Sequence, residues 1–471
     1  MKRILFLILS VPVLLISCRD QDNNEFEKDY QEEPEYVYGG EILSYSDNGS
    51  IYCTYSYPSV DHQGNPVTLS SAIMAWNPSD RTNATIKSLI IGCHITITSD
   101  TECPTRLEDS PSVNDVAMMK LFSTSAIIPE LRQSIVIMPD YQGYGISGGI
   151  IHPYLSQELT ARQVSDAVRY GLQIYKNLEK ALPFADNWKS VCIGFSQGGA
   201  VALATHKYLE QHSLDKQLHL AGSICADGPY DLVETIRYYV EDNGHSYDVE
   251  TPHRSGIVTM PVVLPLIING MLQTDPDMKG HSLTDYFSKQ FIDTGIFEWI
   301  EQKEMSTNDI AKAFYDMCIN GLTAADGTQY TSQQMLTLFP NHTVSAGTYN
   351  VWGDMQAMLT PDAYHQFTEY LAASPTPSVT GQPVDDFMHA LAVNSIVQGW
   401  EPTHRIVFLH SKYDTAVPYG NCLSFAGSHP QAQIKFKDLG NKDHADTGTS
   451  FFLSLISVTF SKELTWLFAE K

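Results

Sequence analysis

The sequence predicts an α/β fold with an antiparallel β-meander in front and a mostly helical insertion before its last strands. Short apolar runs alternate with helical patterns between residues 89 and 226, as crossover units of a largely parallel sheet do. A turn-rich, strand-like stretch precedes them at residues 36–77. From about Gly228 to Pro402 the alternation stops, and it resumes at HRIVFLHS (404–411).

The chain opens with MKRILFLILSVPVLLISC. Lys2 and Arg3, a short apolar run and small residues before Cys18 read as a secretory leader over residues 1–17. The run is too short for a comfortable transmembrane helix. Leu-Ile-Ser-Cys resembles the lipobox of bacterial lipoproteins, which implies cleavage before Cys18 and a lipid on its thiol. The following RDQDNNEFEKDYQEEPE is acidic and poor in apolar residues, so residues 18–36 are expected to be a disordered tether. The chain is then extracytoplasmic and held to a membrane through the lipid on Cys18, on the periplasmic or the outer face.

Composition is ordinary for a globular protein, at 43% hydrophobic and 18% charged residues, enough for a large core. The formal net charge of -25 argues against nucleic acid and against anionic membrane surfaces, both of which call for a basic patch. Apart from Cys18 the cysteines are Cys53, Cys93, Cys103, Cys192, Cys225, Cys318 and Cys422, an odd set that cannot be fully paired. Cys192 and Cys225 lie in apolar runs and read as buried thiols, whereas Cys93 and Cys103 could bridge a loop. No C-x-x-C or H-E-x-x-H pattern points to a metal.

In order, the meander is YVYGGEILSYS, SIYCTYSYP and LSSAIMAWN. The parallel part follows: strands LIIGCHITI (89–97) and SIVIMP (134–139), a helix from about Thr160 to Leu178, strand SVCIGF (190–195), a helix from about Gly198 to Gln211, and strand LHLAGSICA (218–226). Residues 37–227 and 403–471 therefore form the core, and 228–402 a helical cap. Its segment IVTMPVVLPLIINGM (257–271) reads as cap core, or more sharply as an apolar lid. Strand IKFKDL (434–439) and a helix from about Thr449 close the chain.

Within IGFSQGGA (193–200), Ser196 falls where a buried strand turns sharply into a helix. Such a turn pushes the hydroxyl out above the sheet. The flanking glycines are needed because a β-carbon would clash. The helix N-terminus aims backbone N–H groups at the place where negative charge would form. A serine hydroxyl needs a base, and the base an orienting carboxylate. Asp414 follows the strand ending near His410, and His444 lies in the loop after the next strand. Among 16 histidines, His410 and His429 are the rivals; Asp443 and Asp446 are too near His444 to replace Asp414 easily. Asp140 and Tyr141, in PDYQGYG, read as turn-shaping residues.

VFLHSKYDTAVP resembles the H-G-x-x-D-x-x-V-P segment of α/β-hydrolases, with Ser411 where glycine is usual, and DHADTG resembles their histidine loop. IVIMPDYQGYGISGGIIHPYL and LAGSICADGPYDL resemble segments of secretory lipases of the lipase A-like family and related Bacteroidetes lipoproteins. The likeness covers residues 87–232 and 404–448. It implies an α/β-hydrolase fold, a Ser196–His444–Asp414 triad and an oxyanion hole from the N–H groups of Gln197 and Ile95, although the family often has His-Gly where this chain has His94-Ile95. It implies a serine hydrolase of carboxylic esters that needs no cofactor. A peptidase of the same fold acting on short peptides is the nearest rival. A catalytically silent lipoprotein that binds glycan or protein is a rival of another class.

Overall fold

The computed structural model describes residues 39–47, 49–107, 120, 131, 133–240, 256–455 and 460–469. The expected leader, Cys18 and the expected tether lie outside the described residues. Among the described residues no helix is long and apolar enough to cross a membrane.

Nine strands form one sheet: β1 (Glu41–Ser46), β2 (Ser50–Val60), β3 (Pro66–Trp76), β4 (Ile86–Cys93), β5 (Ser134–Pro139), β6 (Phe184–Phe195), β7 (Leu220–Ala226), β8 (Arg405–His410) and β9 (Ile434–Asp438). Their order across the sheet is β1-β2-β3-β5-β4-β6-β7-β8-β9. The expected meander is present: β1, β2 and β3 pair antiparallel, and β3 pairs antiparallel with β5. From β5 to β9 every pairing is parallel. Strands covered on both faces need apolar side chains on both, and β4 shows it, with Ile86, Leu89, Ile90 and Ile91 all fully buried. Helix α1 (Gln157–Asn177) precedes β6, and helix α2 (Gln197–Gln211) follows it.

β4 is shorter than the apolar run LIIGCHITI predicts. It ends at Cys93, and residues 94–98 turn their polar groups toward other partners. His94 Nδ1 lies 2.7 Å from the carbonyl of Ile95, Thr96 meets the Tyr154 hydroxyl at 2.7 Å, and the Thr98 hydroxyl donates to the carbonyl of Met305. Apolar character at 95 and 97 reflects packing rather than a strand: Ile95 lies against the core that holds Ile193 and Phe195, and Ile97 packs with Cys103 and Tyr144. The C-terminal helix begins at His444 rather than Thr449. Asp443 moves the start, because its carboxylate accepts from the N–H of Asp446 at 3.0 Å and caps the first turn.

No strand of residues 256–402 joins the nine-stranded sheet. Helices dominate there, with a hairpin (Asn341–Ser345 and Thr348–Asp354) whose second strand pairs with Ile257–Val258. Its core is rich in aromatics and methionine, including Phe291, Phe314, Phe339, Met355 and Met388. Leu264, Leu266, Ile267, Ile268 and Met271 from the 257–271 run are buried in this core, so the run packs. Insertion and sheet form one unit. Cys93 and Cys103 are not bridged: all seven described cysteines are buried free thiols, and Cys103 Sγ faces Asp100 Oδ1 at 3.6 Å.

Candidate active site

β6 is buried from Ser190 to Phe195 and stops there. Ser196 then adopts φ 57 and ψ −127, a conformation that costs an L-residue free energy and persists only when its surroundings enforce it. Its N–H donates to the Ala226 carbonyl at 2.9 Å, and its own carbonyl accepts from Gly199 and Ala200. A β-carbon at Gly194 would lie 2.0 Å from the carbonyl oxygen of Gly198. One at Gly198 would lie 2.2 Å from that of Cys93. Only glycine lets these backbones approach so closely.

The parallel order β6-β7-β8-β9 brings the carboxyl ends of these strands to one edge of the sheet. There His444 Nε2 lies 2.8 Å from Ser196 Oγ, and His444 Nδ1 lies 2.6 Å from Asp414 Oδ2. Asp414 is 1% exposed, and its Oδ1 accepts from the N–H groups of Ala416 and Val417 at 2.9 and 2.8 Å. The His444 ring stacks on Phe195 at 4.8 Å. Hydroxyl, imidazole and carboxylate thus stand in series, and such a series can move a proton from the serine to the ring. The rivals are bonded to other partners. His429 Nδ1 bonds to the Phe425 carbonyl, and His410 Nε2 to the Val417 carbonyl.

Gln197 is the first residue of α2, where N–H groups have no intrahelical acceptor. The carbonyls of Cys93 and His94 press against Gly198, so Ile95 leaves β4 beside the serine turn. Asp140 and Tyr141 shape the neighbouring loop. Burial pushes the Asp140 carboxyl up to about 6, although Ser70 and Thr105 donate to it. Tyr141, at φ 65, stacks on His94 at 3.9 Å.

Three features escaped the sequence. The Gln197 side chain meets His152 Nε2 at 3.0 Å, and His152 Nδ1 meets the Gln142 carbonyl at 2.8 Å. Burial pushes His152 down to about 3, so the ring is neutral, donating to Gln142 and accepting from Gln197. Ser411, off-pattern in the sequence, ties the Asp414 loop to the His444 loop: its hydroxyl lies 2.7 and 2.8 Å from the carbonyls of Gly440 and Lys442. Asp227, directly after β7, is fully buried within 4.8 Å of the polar atoms of Asp414 and His444. An acidic residue at the end of an apolar strand was its only signal.

A second cluster joins His206, Glu210 and His404. Glu210 already accepts from both imidazoles, the Trp400 indole, and the N–H groups of Thr403 and His404. Its lone pairs are committed to holding the 400–404 turn on α2.

Residues of the insertion reach the acid loop. The Tyr239 hydroxyl donates to the Ala416 carbonyl at 2.6 Å, and the hydroxyls of Thr415 and Thr259 lie 3.3 Å apart.

No family model matches the chain, and no curated protein matches it. Solved structures do. The rice cell wall degrading esterase LipA from Xanthomonas oryzae superposes with a TM-score of 0.61 at 19% identity, over 91% of this chain and 96% of that one. A structure named only as a candidate hydrolase, from Legionella pneumophila, gives 0.61 at 16% identity, over 90% and 91%. Candida antarctica lipase A in its closed state gives 0.55 at 12% identity, over 92% and 83%. With a mixed nine-stranded sheet, flanking helices and this likeness along nearly the whole described chain, the protein has the α/β-hydrolase fold.

Proposed function

We propose that the chain is a serine hydrolase of carboxylic esters that works through an acyl-enzyme. The observation that carries this reading is the series Ser196–His444–Asp414, with contacts of 2.8 and 2.6 Å, on a turn that holds the serine at φ 57. His444 Nε2 takes the Ser196 proton as Oγ attacks the ester carbonyl. Asp414 keeps the proton on Nδ1 and stabilises the imidazolium. The N–H groups of Gln197 and Ile95 receive the oxyanion; one such donor is worth roughly 3 kcal/mol where measured in other enzymes. The imidazolium then gives its proton to the departing alcohol. Water, deprotonated by the same ring, releases the acid and restores Ser196. The chain's own residues suffice for these steps without a cofactor.

Esters are favoured as substrates because the neighbours in fold include an esterase that degrades rice cell wall and a lipase. The lipobox-like LISC supports placing the enzyme outside the cytoplasm, held to a membrane by a lipid on Cys18.

The test compares p-nitrophenyl butyrate with a dipeptide p-nitroanilide, using protein that lacks the leader and the Ser196→Ala variant as blank. Ester cleavage that vanishes in the variant supports the proposal. Amide cleavage would move the chain to the peptidases. Silence on both from folded protein would favour a binding role.

A further inference from the structure

The carboxyl of Asp227 takes no part in the steps above, yet it lies behind the same histidine. It follows β7 at φ 40, and its N–H donates to the Leu409 carbonyl on β8, which wedges it between the two strands. Its Oδ1 accepts from the Ser411 N–H at 3.0 Å and stands 3.3 Å from His410 Nε2. Oδ2 is buried without a hydrogen-bond partner among the described residues. The ionisable groups facing it are Asp414, His444 and His410, with the Cys422 thiol and the Tyr230 phenol beyond them.

Two carboxylates this close in a dry site cannot both stay ionised behind one imidazole. Which of them holds the charge follows from the hydrogen bonds. Asp414 accepts two backbone N–H groups and His444 Nδ1, all below 3.0 Å. Asp227 accepts one backbone N–H and leaves one oxygen bare. A bare buried carboxylate oxygen is costly, whereas a carboxylic acid there needs much less. Burial and the Asp414 charge raise the Asp227 carboxyl well above its usual range, in keeping with this geometry.

We propose that Asp227 is the second member of an acid pair: it carries the pair's single proton while Asp414 carries the charge, and it becomes the carboxylate partner of His444 when Asp414 is removed. This rests on the serine-hydrolase reading. In the native site Asp227 is a positioning residue. Its neutral form keeps a second negative charge from the back of the imidazole, so the imidazolium is not held too firmly to give its proton to the leaving alcohol. When the Asp414 carboxylate is deleted, Asp227 loses its anionic neighbour, releases its proton to solvent and faces Nδ1–H of His444 as an anion.

The experiment compares Asp414→Ala with Asp414→Ala/Asp227→Asn on p-nitrophenyl butyrate between about pH 5 and pH 9, with the unfolding temperature of each measured alongside. The expected result is a kcat at least about tenfold higher in the single variant at similar KM, rising with pH as its remaining carboxyl ionises. In the double variant the carboxyl-linked part of that rise is gone, and only the pH dependence of the general-base step itself is left. Equal kcat in the two folded variants overturns the acid pair. If Asp414→Ala does not fold, the isosteric Asp414→Asn takes its place with the same expected order and the same overturning result. Turnover retained in Ser196→Ala would instead sink the serine-hydrolase reading, so the two failures are distinct.

Discussion

The hydroxyl of Ser411 lies 2.7 Å from the carbonyl oxygen of Gly440, and this contact joins the loop that carries Asp414 to the loop that carries His444. Ser411 Oγ also accepts from the Tyr413 N–H at 3.0 Å, and Ser411 is fully buried. Asp414 and His444 are therefore placed relative to each other by one serine that occupies a position where related segments have glycine. Ser411→Ala leaves buried backbone groups unmet, which costs about 1–3 kcal/mol. Urea unfolding should show that loss. Ester kinetics should show kcat falling more than KM changes, because the fault lies in the distance between acid and base. An unchanged kcat would mean the tie is only structural.

Ser196→Ala should lower kcat by roughly 10⁴-fold or more while the unfolding temperature stays close to that of the unchanged chain. Ser196→Gly should be as inactive yet more stable than the alanine variant, by about 1–2 kcal/mol. Glycine adopts φ 57 without strain and alanine does not. Equal stability of the two variants would refute the claim that the turn is strained.

Gly198→Ala is expected to cost about 3 kcal/mol or more, or to prevent folding. Its β-carbon would sit 2.2 Å from the Cys93 carbonyl oxygen and 2.7 Å from that of His94, and backbone on both sides cannot give way. Thermal unfolding checks it. A small loss would show that the exit of β4 can move, and with it Ile95.

The neutral His152 makes the fold sensitive to acid. Its folded pKa, pushed down to about 3 by burial, is below the unfolded value near 6.5, so its contribution is complete above about pH 6.5. It is lost as pH falls toward 3, at about 1.4 kcal/mol per pH unit. Asp140, raised to about 6, acts in the opposite sense between about pH 6 and pH 4. His152→Gln keeps one donor and one acceptor and removes the titration. Measured at pH 7.5 and pH 5.0, the unchanged chain should lose roughly 2 kcal/mol relative to the variant on going to the lower pH. A pH-independent difference would mean that His152 is not held neutral.

Strand identity and chain order were readable from periodicity alone. Runs such as SIVIMP and SVCIGF are short and apolar on both faces, as a strand covered on both sides requires. Ser196, Asp414 and His444, which the structure brings within hydrogen-bonding distance of one another, each stand just past the carboxyl end of an apolar strand or in its following loop, where chain order points. The end of β4 was not readable, because Ile95 and Ile97 are apolar for packing against the serine turn and the Tyr144 loop rather than for a strand face. Nor were Ser411, His152 and Asp227. Their partners lie far away in the chain, and local sequence carries no record of which strand becomes which neighbour. Sheet order β6-β7-β8-β9 decides that Asp227 meets Asp414 and that Ser411 meets Gly440. Periodicity thus determined which segments are strands, whereas the end of β4 and the burial, charges and hydrogen bonds between distant strand ends were decided only when the sheet closed around them.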